Sequence, residues 1–194
     1  MKQRILMILF TVAVTVAFIA PISFLFLITE ETVRLNQEVF VKKAVLSAAG
    51  IAASGASEGV ISVFSSRIEE ITDEAEPSYL VKDESGGVAG YVLTKSGPGL
   101  WGEITATVGF DREGVKLTGV DFLKQSETPG LGARISEAWF KEQFRGKRGP
   151  FTTVAEGEPA LETQFDALTG ATITSNAVKE IVNSAVDAAR GIAE

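Results

Sequence analysis

Ile104-Thr-Ala-Thr-Val-Gly-Phe-Asp-Arg-Glu-Gly-Val-Lys-Leu-Thr118 decides the fold. Ile104, Ala106, Val108 and Phe110 alternate with Thr and Gly, the period of two that turns one face of a strand toward a core. Asp111-Arg-Glu-Gly114 closes a turn, and Val115-Lys-Leu-Thr118 returns as the partner strand. Gly119 predicts a bulge before Val120-Asp-Phe122 resumes the ladder. The same period begins upstream at Ser78 and gives a further strand over Tyr91–Lys95. Hairpin-linked strands with irregularly placed helices around them predict an α+β domain, an antiparallel sheet with flanking helices.

The helices read from apolar periodicity. Glu31 to Ala49 carries Val33, Gln37, Phe40 and Ala44 on one stripe, widened by Val41 and Val45. After the turn Gly50–Ser57, with Ser57 as N-cap, a second helix presents Val60, Ile61, Phe64, Ile68 and Ile71. Its acids Glu69, Glu70, Asp73, Glu74 and Glu76 read as a solvated face. A helix over Ser136–Arg145, stopped by Gly146, points Ile135, Trp139, Phe140 and Phe144 inward. The last helix spans Asn176–Ala193, with Val178, Ile181, Val182, Ala185, Val186 and Ala189 as its core face.

From Ile5 to Ile28 no residue is charged. At about 1.5 Å per residue this run makes roughly 36 Å of helix, enough to cross a hydrocarbon core of about 30 Å. A cleaved signal is the alternative, but its apolar region is about 7–15 residues long and ends in a small-x-small site, and neither feature occurs here. Lys2 and Arg4 precede the run and Glu30-Glu31 follow it, so a retained single-pass anchor in the plasma membrane keeps the N-terminus cytoplasmic and exports the rest. The expected divisions are 1–29 (cytoplasmic N-terminus and transmembrane anchor), 30–77 (a helical segment packing on the domain) and 78–194 (the periplasmic or extracellular domain).

Of 18 basic and 25 acidic residues, only Lys2 and Arg4 precede the exported part, which therefore carries a net charge of −9. That charge excludes nucleic acid as a partner. Cysteine and histidine are absent. The usual ligands for zinc, copper, haem and iron–sulfur clusters are therefore missing, no metal site is expected, and redox chemistry needs an organic cofactor.

Three glycine-rich loops remain. Gly97-Pro-Gly-Leu-Trp-Gly102 matches G-x-G-x-x-G, but strand formers follow it where a dinucleotide site needs a helix, so it reads as a turn presenting Leu100 and Trp101. Trp101 there is either a flat wall for an aromatic ring or a cap on the core. Glu127-Thr-Pro-Gly-Leu-Gly132 places a fixed φ at Pro129 beside permissive Gly130 and Gly132. Asp166-Ala-Leu-Thr-Gly-Ala-Thr172, continued by Ile-Thr-Ser175, sets hydroxyls and small residues at a helix start, where backbone N–H groups and the helix dipole favour an anion. It admits three readings: a plain helix start capped by Thr174 or Ser175, a non-covalent phosphate site without the lysine of a P-loop, or a covalent site on the Thr172 hydroxyl. No catalytic residue is expected: no histidine is present to act as base and no G-x-S-x-G occurs.

The wording D-x-x-T-G-A-T resembles the sequence recognised by the transferase that esterifies FMN to a threonine. With the apolar N-terminus, Val45-Leu-Ser-Ala-Ala-Gly-Ile51, Gly-Leu-Trp-Gly102, Glu127–Gly132 and Trp139, the chain resembles a flavoprotein family over nearly its whole length. The family comprises the G subunit of Rnf-type ion-translocating ferredoxin:NAD oxidoreductases and the C subunit of sodium-translocating NADH:quinone reductases. The resemblance implies an extracytoplasmic FMN-binding domain with covalent FMN on Thr172, making the chain a phosphoprotein in the sense of a phosphoester. It places Thr169, Gly170, Ala171 and Thr174 around the phosphate; Thr169 stands where many members have Ser. It places Leu100, Trp101, Gly102, Glu127, Thr128, Leu131 and Gly132 against the flavin, and gives Asp166 to transferase recognition.

Implied partners are the other membrane subunits of an Rnf-type complex and the flavin transferase. The implied role is an electron relay rather than a complete enzyme. The shortness of the chain favours the Rnf-type assignment; the sodium-pump subunit, or a carrier in another electron-transfer system, is the related alternative. The alternative of a different class is an anchored non-redox domain that binds a phosphorylated ligand or a partner protein.

Overall fold

The computed structural model describes residues 2–52, 56–71, 77–158 and 160–193. The chain divides into two compact units, Met1–Glu38 and Val39–Glu194. A single helix, α1 (Lys2–Ala48), passes from one into the other and continues across Pro21 and across the expected division at 29–30. It is long and apolar enough to cross a membrane. The expected stripe is buried only at its C-terminal end: Val33 and Phe40 are exposed, while Ala44 and Val45 are buried together with Leu46 and Ala48.

In the second unit, α2 (Ser57–Arg67) is followed by β1 (Ile68–Glu70), β2 (Ser78–Lys82), β3 (Val88–Pro98), β4 (Glu103–Asp111) and β5 (Leu117–Lys124). These strands form one antiparallel sheet in the order β1-β2-β3-β4-β5. The expected hairpin is present: Asp111 Oδ1 accepts from the N–H groups of Val115 and Lys116, and Gly114 sits at φ +67°. The register slips beside Gly109 and Gly119, where the bulge is expected.

The periodicity of helix two misleads at its end. Ala56, not Ser57, occupies the N-cap position, and α2 stops at Arg67, whose Nε donates to the carbonyl of Lys82 at 2.6 Å. Ile68, assigned to a helical face by spacing, enters the sheet edge opposite Val81. Pairing with β2 outweighs a helical period that one more residue would have served equally well. Glu69 and Glu70 are exposed on that strand, while Asp73, Glu74 and Glu76 lie outside the described residues.

The alternation of β4 splits the core in two. Ile104, Ala106, Val108 and Phe110 face α4 (Thr172–Ala193), with Val178, Ile181, Val182, Ala185 and Val186 buried against them. On the other face Val45, Leu46 and Ala48 of α1 pack with Val60, Tyr79, Val81 and Val92. Here α1 ends in a tight reversal: Gly50 adopts φ +74°, its N–H reaches the Ser47 carbonyl, and the Ile51 N–H reaches that of Leu46. The Thr118 hydroxyl donates to the Ala48 carbonyl at 2.7 Å, satisfying an end-of-helix acceptor from the sheet.

That close approach explains the glycine in β4. A Cβ at Gly109 would lie 2.0 Å from the Ala48 carbonyl oxygen and 2.4 Å from Thr118 Oγ1. Gly109→Ala therefore forces the end of α1 off the sheet, at a cost of about 1–3 kcal/mol for overpacking. The urea midpoint of the full chain in micelles measures it, and an unchanged midpoint would contradict this packing.

Beyond β5 the chain makes a 3₁₀ turn (Gly132–Ser136) and a short α3 (Ala138–Glu142), less than the helix expected over Ser136–Arg145. Ile135, Phe140 and Phe144 are buried as expected, but Trp139 is 36% exposed. One side of its ring meets buried Phe140 edge-on at 5.7 Å, while the Arg134 guanidinium covers it at 5.2 Å and Glu137 accepts its indole N–H, so it sits at the rim of the core. Two strands not legible in the sequence, β6 (Thr152–Val154) and β7 (Gln164–Asp166), pair in parallel. They carry Phe165 into a cluster with Phe140, Phe144 and Phe151, with ring centroids 4.8 to 6.4 Å apart.

Candidate functional site

The loop from Asp166 to Thr172 hangs between two anchored points. Phe165 is fully buried at the end of β7, and Leu168 is buried three residues on. Gly170 takes φ +79°, a left-handed conformation that favours glycine, and the chain then turns directly into α4. The helix therefore begins at Thr172, four residues before the expected Asn176, and Thr172 is its first residue.

Neither expected cap acts as one. The Ser175 hydroxyl donates back to the Ala171 carbonyl and accepts from the Leu168 N–H at 2.9 Å, tying the loop from inside the first turn. Thr174 turns its hydroxyl away, to Glu127. The first helical bond at this end runs from the Ser175 N–H to the Ala171 carbonyl. The N–H groups of Thr172, Ile173 and Thr174 precede it and have no partner within the helix. They form the anion-favouring end of α4.

Glu127 is the buried charge of the site, 4% exposed. Its Oε1 accepts from the backbone N–H groups of Leu100 (2.9 Å) and Trp101 (3.1 Å), and its Oε2 accepts from the Thr174 hydroxyl. One side chain thus joins the β3–β4 turn, the 127–132 loop and the first turn of α4. Between them lies a cavity of about 270 Å³, lined by Leu100, Glu127, Thr128, Leu131, Gly132 and the segment Gly170–Thr174. Leu100, Leu131 and Ile173 are exposed around it together with Thr128 and Thr172, so its mouth is apolar with two exposed hydroxyls.

Three glycine-rich loops far apart in sequence therefore meet, and ten residues line one cavity. Ile173 belongs to it and is not singled out by the sequence motifs. Trp101, Gly102 and Thr169 stand outside that lining. Trp101 is 69% exposed, which disposes of a core-capping role. Gly97 and Pro98 end β3, Glu103 starts β4, and no helix follows the G-x-G-x-x-G match.

Asp166 also lies off the cavity, its Oδ2 accepting from the Gly157 N–H. Thr169 donates its N–H to Glu156 Oε2 at 2.8 Å, and Glu156 Oε1 pairs with Arg134 at 2.7 Å. Among the described residues, no cluster of acids suited to a metal ion occurs. A second cleft, of about 310 Å³ by Lys43, Ser47 and Gly50, borders Arg145, whose guanidinium is committed to Glu142 and the Thr118 carbonyl.

Glu156 is the residue of this neighbourhood that sequence reading misses. The Arg134 guanidinium, and after it the Thr169 N–H, pull its carboxyl down from 4.5 to about 2. A lowered carboxyl pKa stabilises the fold above the unfolded value, and that contribution disappears as pH falls from about 4.5 to about 2. Wild type should therefore melt above Glu156→Gln at about pH 6, and the two should converge near pH 2. An equal offset at both pH values would contradict the pairing.

The comparisons with known proteins agree with this geometry. Residues 99–187 match the FMN-binding domain family. The chain is 37% identical over 121 residues to the G subunit of an ion-translocating oxidoreductase complex from Methanosarcina acetivorans, covering 61% of this chain and 62% of that one. It is 40% identical over 106 residues to the G subunit of a Na⁺-translocating ferredoxin:NAD⁺ oxidoreductase complex from Acetobacterium woodii, covering 53% and 50%. Against the C subunit of a Na⁺-translocating NADH-quinone reductase from Yersinia pestis it is 34% identical over 113 residues, covering 54% and 42%. The chain thus spans about half the length of these relatives.

The crystal structure of the corresponding C subunit from Parabacteroides distasonis superposes with a TM-score of 0.68 at 22% identity, covering 84% of this chain and 95% of that one. The segment similar to FMN-binding domains contains all three loops that meet at the cavity. The chain is similar to the G and C subunits of these ion-translocating oxidoreductase complexes, and the C-subunit structure shares its fold.

Proposed function

We propose that Thr172 carries FMN through a phosphoester and that the chain relays electrons in an ion-translocating oxidoreductase complex, as its G-type component. One observation carries the reading: a threonine hydroxyl stands exposed on the first residue of α4, at the cavity that the family's other two loops close. In this reading Thr169, Gly170, Ala171 and Thr174 surround the phosphate, with the unpaired N–H groups of the first turn facing its remaining charge. Leu100, Trp101 and Gly102 offer the flat and apolar surface for the ring, with Glu127, Thr128, Leu131 and Gly132 closing the opposite side. When bound, FMN supplies one-electron exchange, and the chain positions it and sets its electrostatics.

The one carboxylate that lines the cavity, Glu127, is committed to three donors, which suits a relay rather than a proton-transfer catalyst. The expected divisions at 1–29, 30–77 and 78–194 enter here as functional segments. The first holds the chain in the plasma membrane with its N-terminus cytoplasmic, and the last works on the far side. Partners are the complex's other membrane subunits, and a flavin transferase that reads Asp166 matures the chain. The G-type assignment is supported by identity, 37% and 40% to the two G subunits against 34% to the Yersinia C subunit.

Denaturing gels test this. Chain co-expressed with a flavin transferase should fluoresce in the gel, and chain expressed without it should stay dark. A colourless matured chain would favour the non-redox reading, an anchored domain that binds a phosphorylated ligand without bonding it.

A further inference from the structure

The glycines of the two upstream loops are usually an invitation to place a ligand against their backbone. Here protein atoms occupy that space. A Cβ at Gly99 would lie 2.6 Å from Glu127 Oε1, and one at Gly132 would lie 2.6 Å from Thr174 Oγ1 and 2.9 Å from Glu127 Oε2. One glycine in each loop, Gly99 and Gly132, therefore makes room for a carboxylate and its partner. All three hydrogen bonds to that carboxylate are donated by the protein: two backbone N–H groups from one loop and one hydroxyl from a helix. An ionised carboxylate only accepts, so this set matches its chemistry.

We infer that Glu127 is a positioning residue: its carboxylate clamps the Leu100-Trp101 turn to the first turn of α4, and so holds open, in the flavin-free chain, the cavity that Thr172 lines. The inference deepens the flavin reading by assigning Glu127 to shaping the site rather than to touching the ring. Charge-assisted bonds to a buried carboxylate are stronger than neutral ones, and removing the acceptor leaves buried donors unpaired. No hydrogen bond found among the described residues links Thr174 directly to the Leu100-Trp101 turn; Glu127 is the shared partner. Loss of the Thr174 hydroxyl should therefore loosen amides on a different element.

Hydrogen–deuterium exchange on the full chain in micelles, made without flavin transferase, tests this. Glu127→Ala should speed exchange at the Leu100 and Trp101 amides roughly 10-fold or more, the scale of a lost hydrogen bond to a charged group. Glu127→Gln, whose amide oxygen still accepts both N–H groups, should return them to within about threefold of wild type. Thr174→Val should speed the same two amides about threefold although it touches neither.

Unchanged rates in Glu127→Ala, or a Gln variant as fast as Ala, would overturn the clamp. If Glu127→Ala does not fold, Thr174→Val decides alone, and wild-type rates at Leu100 and Trp101 in that variant would overturn it. A wild-type chain that never takes up flavin would sink the proposed function and leave these exchange results standing.

Discussion

Thr172→Ala should yield a chain that folds as the parent does and carries no covalent flavin. The side chain is exposed on the first residue of α4, and among the described residues its hydroxyl meets no hydrogen-bond partner. Alanine is at least as good a helix former, so stability should move by no more than about 0.5 kcal/mol. The effect on the adduct is all or none, because a methyl group offers no oxygen for the ester.

Three other threonines are near. Thr174 is buried on Glu127, Thr169 sits outside the cavity beside Glu156, and Thr128 lines the cavity from the 127–132 loop rather than from the first turn of α4. In-gel fluorescence of wild type and variant, matured side by side, reads the result directly. Fluorescence that survives in Thr172→Ala would move the attachment elsewhere.

The second large effect lies behind the loop. Phe165 is fully buried and touches Phe140, Phe144 and Phe151, the nearest ring at 4.8 Å. Phe165→Ala removes one ring that contacts all three others and should cost about 3–5 kcal/mol, a large fraction of the total stability of an ordinary domain. Asp166 follows immediately, so the loop that presents Thr172 loses its upstream anchor. Flavin uptake should fall together with the urea midpoint. A loss below about 1 kcal/mol would mean that the cluster is less tightly packed than its ring distances imply.

Much of the fold is legible in the residues because period and burial coincide. In β4 every second residue faces α4, and the turn at Asp111–Gly114 has the carboxylate and the left-handed glycine that close a hairpin. Strands β1, β6 and β7 are not legible, since three residues hold no period and their pairing depends on distant partners. The start of α4 reads four residues late because the hydroxyls of Thr174 and Ser175 look like caps. Only the fold reveals that one bonds Glu127 and the other ties Leu168.

At the site, the three loops named by motif do converge. What they converge on is hidden in the sequence: the resemblance puts Glu127 against the flavin, and only the fold shows its carboxylate held by three donors of the protein. Trp139 fails in the opposite sense. Its apolar spacing suits a core face and it does meet Phe140, yet Arg134 and Glu137 hold its other side at the surface.

Intact-mass spectrometry of the naturally matured chain, followed by mapping of the modified peptide, tests the central claim most directly. The account predicts the sequence mass plus FMN less one water, with the increment confined to Thr172. An unmodified mass, or the same increment on any other residue, would contradict it.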